Sequence, residues 1–145
     1  MRKSKPENKP RSEPNFVIYF DGVCNLCNRF VDLLIRIDHR RCLRYAPLQG
    51  ETAHLRGLHH FAAEDPTSIV VVDGPSEVHT ESDAVLQIFS RLGGIWPAFL
   101  LPARLIPKYF RDKIYRMIAQ NRYGLFGRRD TCRLPTSSER ELFLP

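Results

Sequence analysis

The sequence predicts a three-layer α/β domain, in which helices flank a mixed sheet of about four strands. Two patterns predict this fold class. Short runs of β-branched and aromatic residues, typical of buried strands, alternate with longer stretches whose apolar residues recur every three or four positions, the period of an amphipathic helix. Their order is strand, helix, strand, helix, strand, strand, helix, which is the order of a thioredoxin-like domain, and a further helical segment follows.

The first strand and the first helix enclose the most distinctive stretch of the chain, FVIYFDGVCNLC. Its apolar start predicts a buried strand at residues 16–20, and the Asp-Gly pair after it predicts a turn. The apolar residues that follow recur at helical spacing and predict a helix over residues 24–38. Cys24 and Cys27 therefore lie in the first turn of this helix, at the carboxyl end of the strand, where open α/β sheets place their sites.

The remaining elements follow in order. We predict strands at residues 43–48, 68–72 and 77–80, and helices at residues 50–63, 82–92 and from 107 onward. The run SIVVV is apolar on both faces, so this strand is expected to be central. Residues 95–106 are apolar but interrupted by two prolines and too short to span a bilayer, so they are expected to form a short helix packed on the body. The inward side of the last helix is expected to carry Phe110, Ile114, Met117 and Ile118.

Length and composition favour one globular domain. The 145 residues are 43% hydrophobic and 26% charged, and no segment has the roughly 18 consecutive apolar residues of a membrane span. Residues 1–14 are polar and rich in Pro and Lys, so they are expected to form a disordered basic arm before a domain at residues 15–145. This arm has no apolar core like that of a secretory signal, so we expect a reducing, cytoplasmic location.

The spacing of Cys24 and Cys27 points to thiol–disulfide exchange. Residues three apart in a helix have Cβ atoms roughly 5–6 Å apart, and a disulfide needs about 3.5–4.5 Å, so a small adjustment closes or opens the bond. The helix N-terminus favours a thiolate over a thiol. We expect Cys24, nearer the helix end and more exposed, to attack a substrate disulfide, and Cys27 to resolve the mixed disulfide. This chemistry requires no bound cofactor and no metal.

The residues around the pair allow more than one interpretation. Asp21 is either a partly buried carboxylate that exchanges a proton with Cys27 or holds the loop, or simply a turn former. Cys132, in the basic loop after the last helix, is either an extra resolving thiol or a packed or exposed free cysteine. Cys42 is expected to be a small buried apolar residue. Residues 95–106 and the basic loop are expected to cover the site.

Two other functional classes remain open. A structural zinc site would use the four cysteines or a histidine, although zinc usually draws on a second close pair of ligands, which this sequence lacks. The net charge of +6 suits a nucleic-acid or acidic partner, but no nucleic-acid-binding motif accompanies it, so nucleic acid is not the expected partner.

Several blocks of the chain resemble the DCC family of thiol-disulfide oxidoreductases, which is named for an Asp-Cys-Cys signature. Here the signature is Asp21, Cys24 and Cys27 in YFDGVCNLC. The resemblance extends through RYAPLQG, SIVVVDG, SDAVLQIFSRLGGIWP and IPKYFRDKIYRMIAQNRYGLFGRRDTCRLP, and covers roughly residues 15–145. It implies a thioredoxin-like fold and protein-disulfide reductase activity, with a redox-active Cys24–Cys27 disulfide.

The resemblance also bears on three further residues and on the partners. It favours a functional role for Asp21. It also favours a role for Cys132 as an extra resolving thiol, because CRLP belongs to the family pattern. Thioredoxins hold the substrate chain at a cis-proline before the central strand, and Pro66 in EDPTSIVVV is the candidate here, the alternative being an ordinary trans loop proline. The implied partners are disulfide-containing proteins or small thiols, with an electron donor that the sequence does not identify.

Overall fold

A four-stranded mixed sheet forms the centre of the computed structural model, which describes residues 14–63 and 69–145. Its strands are β1 (Phe16–Phe20), β2 (Arg44–Pro47), β3 (Ile69–Asp73) and β4 (Glu77–Thr80). They lie in the order β2-β1-β3-β4, with β1 parallel to β2 and antiparallel to β3, and with β3 antiparallel to β4. The predicted mixed sheet and the central position of β3 are confirmed.

The helices lie close to their predicted positions, but two predicted helices are divided. They are α1 (Asn25–Ile37), α2 (Glu51–Leu55), α3 (His60–Ala63), α4 (Glu81–Leu92), α5 (Trp96–Phe99), α6 (Leu101–Leu105) and α7 (Lys108–Phe126). The helix predicted over residues 50–63 is interrupted at Gly57, whose φ of +69° belongs to the left-handed region that favours glycine. The apolar segment at 95–106 forms α5 and α6, each with a proline in its first turn.

Two hydrophobic layers explain why β1 and β3 are apolar on both sides. One layer joins Ile18, Phe20 and Val71 to the buried side chains of α1 and α4. The other layer joins Val17, Tyr19, Val70 and Val72 to Ala53 of α2 and to neighbouring residues. Because side chains alternate along a strand, each strand contributes to both layers. The sheet is therefore covered on both faces, as a three-layer fold requires.

The orientation of α7 differs from the prediction. Its buried residues are Asp112, Ala119 and Arg122, so the side that meets α1 and α4 is largely polar. The residues predicted to face inward are instead between 45% and 60% exposed, namely Phe110, Ile114, Met117 and Ile118. That prediction was wrong because helical spacing shows which residues share a side of a helix, and not which side meets the protein. Polar contacts fix the orientation, as in the Ser82 N–H that donates to Asp112 Oδ1 at 3.3 Å.

The chain after α7 returns to the open edge of the sheet at β2. Leu144 N–H donates to the Tyr45 carbonyl at 2.8 Å, and Tyr45 N–H donates to the Leu142 carbonyl at 2.9 Å. The Phe143 ring packs on Phe20 and Tyr45, with centroids 6.1 and 5.5 Å away. This segment therefore forms hydrogen bonds with backbone groups on the outer edge of β2, which the sheet itself leaves unpaired. Within residues 14–63 and 69–145, no helix is long and apolar enough to cross a bilayer.

Candidate active site

Both cysteines of the CxxC motif lie at the start of α1, shortly after the end of β1. Cys24 is the N-cap residue of α1, in an extended conformation, and Cys27 lies in the first turn. The Cys27 N–H donates to Cys24 Sγ at 3.4 Å. A sulfur therefore takes the position that the side-chain oxygen of Ser, Thr or Asp usually takes at a helix N-cap. All four cysteines of the chain are free thiols in the structure.

The electrostatics of this position favour a thiolate at Cys24. The hydrogen bond with the Cys27 side chain lowers the pKa of Cys24 to about 7, although burial of the thiol acts in the opposite direction. The Cys27 N–H and the Arg122 guanidinium also lower this pKa, whereas the Asp21 carboxylate raises it. At pH 7 the fraction of molecules with an ionised Cys24 is consequently roughly one half, compared with a few per cent for an ordinary cysteine.

Asp21 is fully buried beneath the motif, and donors surround both of its carboxylate oxygens. Oδ1 accepts from the Gln49 side-chain amide at 2.6 Å and from the Val23 N–H at 3.2 Å. Oδ2 accepts from the Tyr123 hydroxyl and lies 3.4 Å from Nη2 of Arg122. A buried carboxylate is stable only when its charge is paired and its oxygens are satisfied, and these four donors do both. The arrangement also ties the turn before Cys24 to α7.

Several of these residues were missed by reasoning from the sequence. Gln49 and Tyr123 were not considered, and Arg122 was counted only as part of the positive charge. Asn28 was also missed, although its buried amide donates to the Gly22 and Cys24 carbonyls at 2.9 and 2.8 Å. No local motif marks Gln49, Arg122 or Tyr123, because their shared partner Asp21 lies 28, 101 and 102 positions away in the sequence. The sequence does give one indication of Arg122 and Tyr123, because both lie in the last block that resembles the family, IPKYFRDKIYRMIAQNRYGLFGRRDTCRLP.

A strap formed by residues 127–133 covers the CxxC loop and runs antiparallel to it, with Arg128 bridged to Cys24. Backbone hydrogen bonds join the two segments, from Asn25 N–H to the Gly127 carbonyl at 3.3 Å, from Arg129 N–H to Val23 at 2.7 Å, and from Arg133 N–H to Gly22 at 3.1 Å. The strap buries Cys24 completely and leaves Cys27 2% exposed. The expectation that Cys24 is the more exposed cysteine is therefore wrong. The basic loop covers the site as expected, whereas α5 packs on α4, and α6 packs on α5.

Cys132 belongs to the strap and lies against the turn before the motif. A Cβ atom added to Gly22 would lie only 2.2 Å from Cys132 Sγ, so no larger residue fits at position 22 without a shift. Burial raises the pKa of Cys132, and the charge of Asp21 raises it further. The structure thus brings Cys132 to the site, but in surroundings that favour its thiol over its thiolate.

Cys42, which was also considered from the sequence, does not join the site. Cys42 lies beyond the far end of the 13-residue α1, about 20 Å along the helix from Cys24, and its thiol donates to Asp38 Oδ1 at 3.3 Å. The described ranges contain no group of three or more His, Cys, Asp or Glu side chains placed to hold a metal ion. Pro66, the candidate cis-proline, lies outside the described residues.

An apolar cavity of about 260 Å³ lies beside Cys27, between α1, α4 and α7. The residues that line it are Leu26, Cys27, Phe30, Ile69, Val85, Tyr115, Ile118 and Ala119. None of these side chains carries a charge at neutral pH. The cavity therefore suits an apolar group placed next to the cysteine pair.

Comparisons with known proteins find one matching family and two similar proteins. A family described as DCC1-like thiol-disulfide oxidoreductase matches residues 18–128. The chain is 38% identical over 132 residues to "Uncharacterized protein YuxK" of Bacillus subtilis (strain 168), which covers 91% of this chain and 96% of that protein. It is 36% identical over 118 residues to "DCC family protein At1g52590, chloroplastic" of Arabidopsis thaliana, covering 81% and 69%. No solved structure matches the chain with comparable significance.

Proposed function

The chain belongs to the DCC1-like thiol-disulfide oxidoreductase family, and from this premise we propose that it reduces protein disulfides through Cys24 and Cys27. One observation carries the proposal. The Cys24 sulfur caps α1, accepts the Cys27 N–H, and has a pKa lowered to about 7, as an attacking thiol at neutral pH requires. A reducing compartment such as the cytoplasm would maintain the pair as the dithiol.

The proposed exchange proceeds in two steps. The Cys24 thiolate attacks one sulfur of a substrate disulfide, the substrate S–S bond breaks, and the departing thiolate takes up a proton. Cys27 then loses its proton and attacks the Cys24 sulfur, which forms the Cys24–Cys27 disulfide and releases the second substrate thiol. Two electrons pass from the protein to the substrate, and an external dithiol returns them.

Asp21 has a positioning role in this proposal. Both of its oxygens are occupied by donors, and one of these donors is the Val23 N–H directly before Cys24. The carboxylate therefore holds the turn in the conformation that places Cys24 at the N-cap. Arg122 offsets its charge, which would otherwise oppose the Cys24 thiolate.

The cavity beside Cys27 indicates how a substrate approaches the pair. The strap covers Cys24, while the cavity wall includes Cys27 and carries no charged side chain. An apolar side chain adjoining the substrate cystine would be buried there, which favours protein disulfides over highly charged small disulfides. The sulfur of Cys24 becomes accessible when the strap moves.

Reduction of insulin by dithiothreitol, followed by precipitation of the released chain, tests the proposal. We expect the protein to accelerate this reduction, and the Cys24→Ser and Cys27→Ser variants to lower the rate to that of dithiothreitol alone. Cys42→Ser is the matched control, because Cys42 lies at the other end of α1, and it should retain the full rate. A Cys24→Ser variant as active as the wild type would contradict the proposal.

A further inference from the structure

The three consecutive helices α5, α6 and α7 expose many large apolar side chains to solvent. Eight of them are more than half exposed, namely Phe99, Leu101, Leu105, Tyr109, Phe110, Ile114, Met117 and Leu125. We call these residues, together with the exposed cations Arg104, Lys113, Arg128 and Arg129, the apolar–basic surface. Single exposed apolar residues are common on proteins, but a group of this size in one segment marks an interaction site.

The parts of the chain that the structure does not describe lack the residues to cover this surface. Residues 1–13 contain Met1 and otherwise only Lys, Arg, Glu, Ser, Asn and Pro. Residues 64–68 read EDPTS. Neither segment has an aliphatic or aromatic side chain besides Met1 with which to bury eight large apolar groups. The occupant of the surface is therefore neither of these two segments.

The charge of the same segment identifies the chemistry of that occupant. Residues 95–129 contain eight Lys and Arg residues and one acidic residue, Asp112. Lys108 and Arg116 pair with carboxylates of the neighbouring helix, at 2.6 and 2.8 Å. Other cations are exposed and have no carboxylate within 4 Å among the described residues, namely Arg104, Lys113, Arg128 and Arg129.

Cations and apolar groups are interleaved on this surface. Lys113 lies three residues after Phe110 and four before Met117, so the three side chains are neighbours on one side of α7. Arg104 lies in the same turn of α6 as Leu101 and Leu105. A second copy of the chain would bring these cations against their own duplicates, which is unfavourable because like charges repel across a dry interface.

We propose that the apolar–basic surface docks on the surface of an anionic phospholipid bilayer. The apolar side chains would enter the boundary between headgroups and acyl chains, and the cations would contact lipid phosphates. In this orientation α7 lies parallel to the bilayer plane. The proposal does not require the redox chemistry, because neither cysteine of the pair belongs to the surface. Arg128 and Arg129 belong both to this surface and to the strap that covers Cys24.

Sedimentation of the reduced, full-length protein with vesicles tests this proposal. We expect the protein to bind vesicles of phosphatidylcholine mixed with phosphatidylglycerol far more than vesicles of phosphatidylcholine alone, and to dissociate as salt is raised. Leu125→Gln should weaken binding by about tenfold, because it removes one apolar side chain from the contact. Lys113→Gln should reduce the preference for the anionic lipid.

The control is the same substitution on another part of the molecule. Leu55→Gln changes an 81% exposed leucine of α2, and Leu125→Gln changes one that is 72% exposed, so neither should disturb folding. Leu55→Gln should bind vesicles like the wild type. Absence of binding to the anionic vesicles, or equal loss of binding in both variants, would overturn the proposal. So would a stable dimer in the absence of lipid that Leu125→Gln dissociates, since it would identify a second copy as the occupant.

Discussion

At the scale of single residues, the pKa of Cys24 depends on hydrogen bonds from Cys27 and on the opposite charges of Asp21 and Arg122. Asp21 and Arg122 are both buried, and their side chains meet at 3.4 Å. The carboxylate raises the pKa of Cys24 and the guanidinium lowers it, while the hydrogen bonds from Cys27 have the larger effect. The thiolate of Cys24 is therefore stabilised mainly by hydrogen bonds within the motif, while Asp21 of the preceding turn and Arg122 of α7 have smaller and opposite effects on its pKa.

The pH dependence of Cys24 alkylation should report these effects. Ionisation increases with pH, so in the reduced protein the rate should rise through a midpoint near pH 7 and level off above it. Asp21→Asn should move the midpoint to lower pH, because it removes the charge that raises this pKa. Arg122→Met should move it to higher pH. Rates read for Cys24 by peptide mass would check both shifts, and a wild-type midpoint near 8.5 or shifts of the same sign would contradict the account.

At the scale of elements, the predictable parts are those whose contacts are local in sequence. The strand β1, the turn at Asp21 and the helix α1 follow from an apolar run, turn chemistry and helical spacing within residues 16–37. The division of residues 50–63 was missed because a single Gly57 was taken as a tolerated residue within a helix. The orientation of α7 was missed because buried polar contacts determine it.

The strap offers a prediction at the same scale. Gly127 has a φ of +85°, and a Cβ there would lie 2.9 Å from the Asn25 amide nitrogen that donates to the Phe126 carbonyl at the end of α7. Gly127→Ala should therefore weaken the closed position of the strap by about 1–2 kcal/mol and increase its opening about tenfold. Alkylation of Cys24 above its pKa should accelerate accordingly.

Leu134→Ala is the control for this variant. Leu134 lies directly after the strap and is 85% exposed, so its truncation should leave the alkylation rate unchanged. If Gly127→Ala reacted no faster than the wild type, the strap would not control access to Cys24.

At the scale of the whole molecule, the site is assembled from both ends of the sequence. The pair comes from the start of α1, while Arg122, Tyr123 and the strap come from residues about a hundred positions later. Periodicity and turn chemistry predict the elements, but they carry no information on which distant elements meet. The resemblance to the family includes the block that contains Arg122 and Cys132. In the structure Arg122 pairs with Asp21, and Cys132 lies against Gly22 in the turn before the motif.

The redox titration of Cys24 and Cys27 in glutathione buffers, read by mass after alkylation, tests the central claim most directly. We expect one reversible two-electron transition that is lost in Cys24→Ser and kept in Cys42→Ser. Because the Cys24 pKa of about 7 resembles that of thioredoxin, the midpoint should lie nearer to about −270 mV than to about −120 mV. A pair that forms no disulfide at any glutathione ratio would contradict the claim that these cysteines are a redox centre.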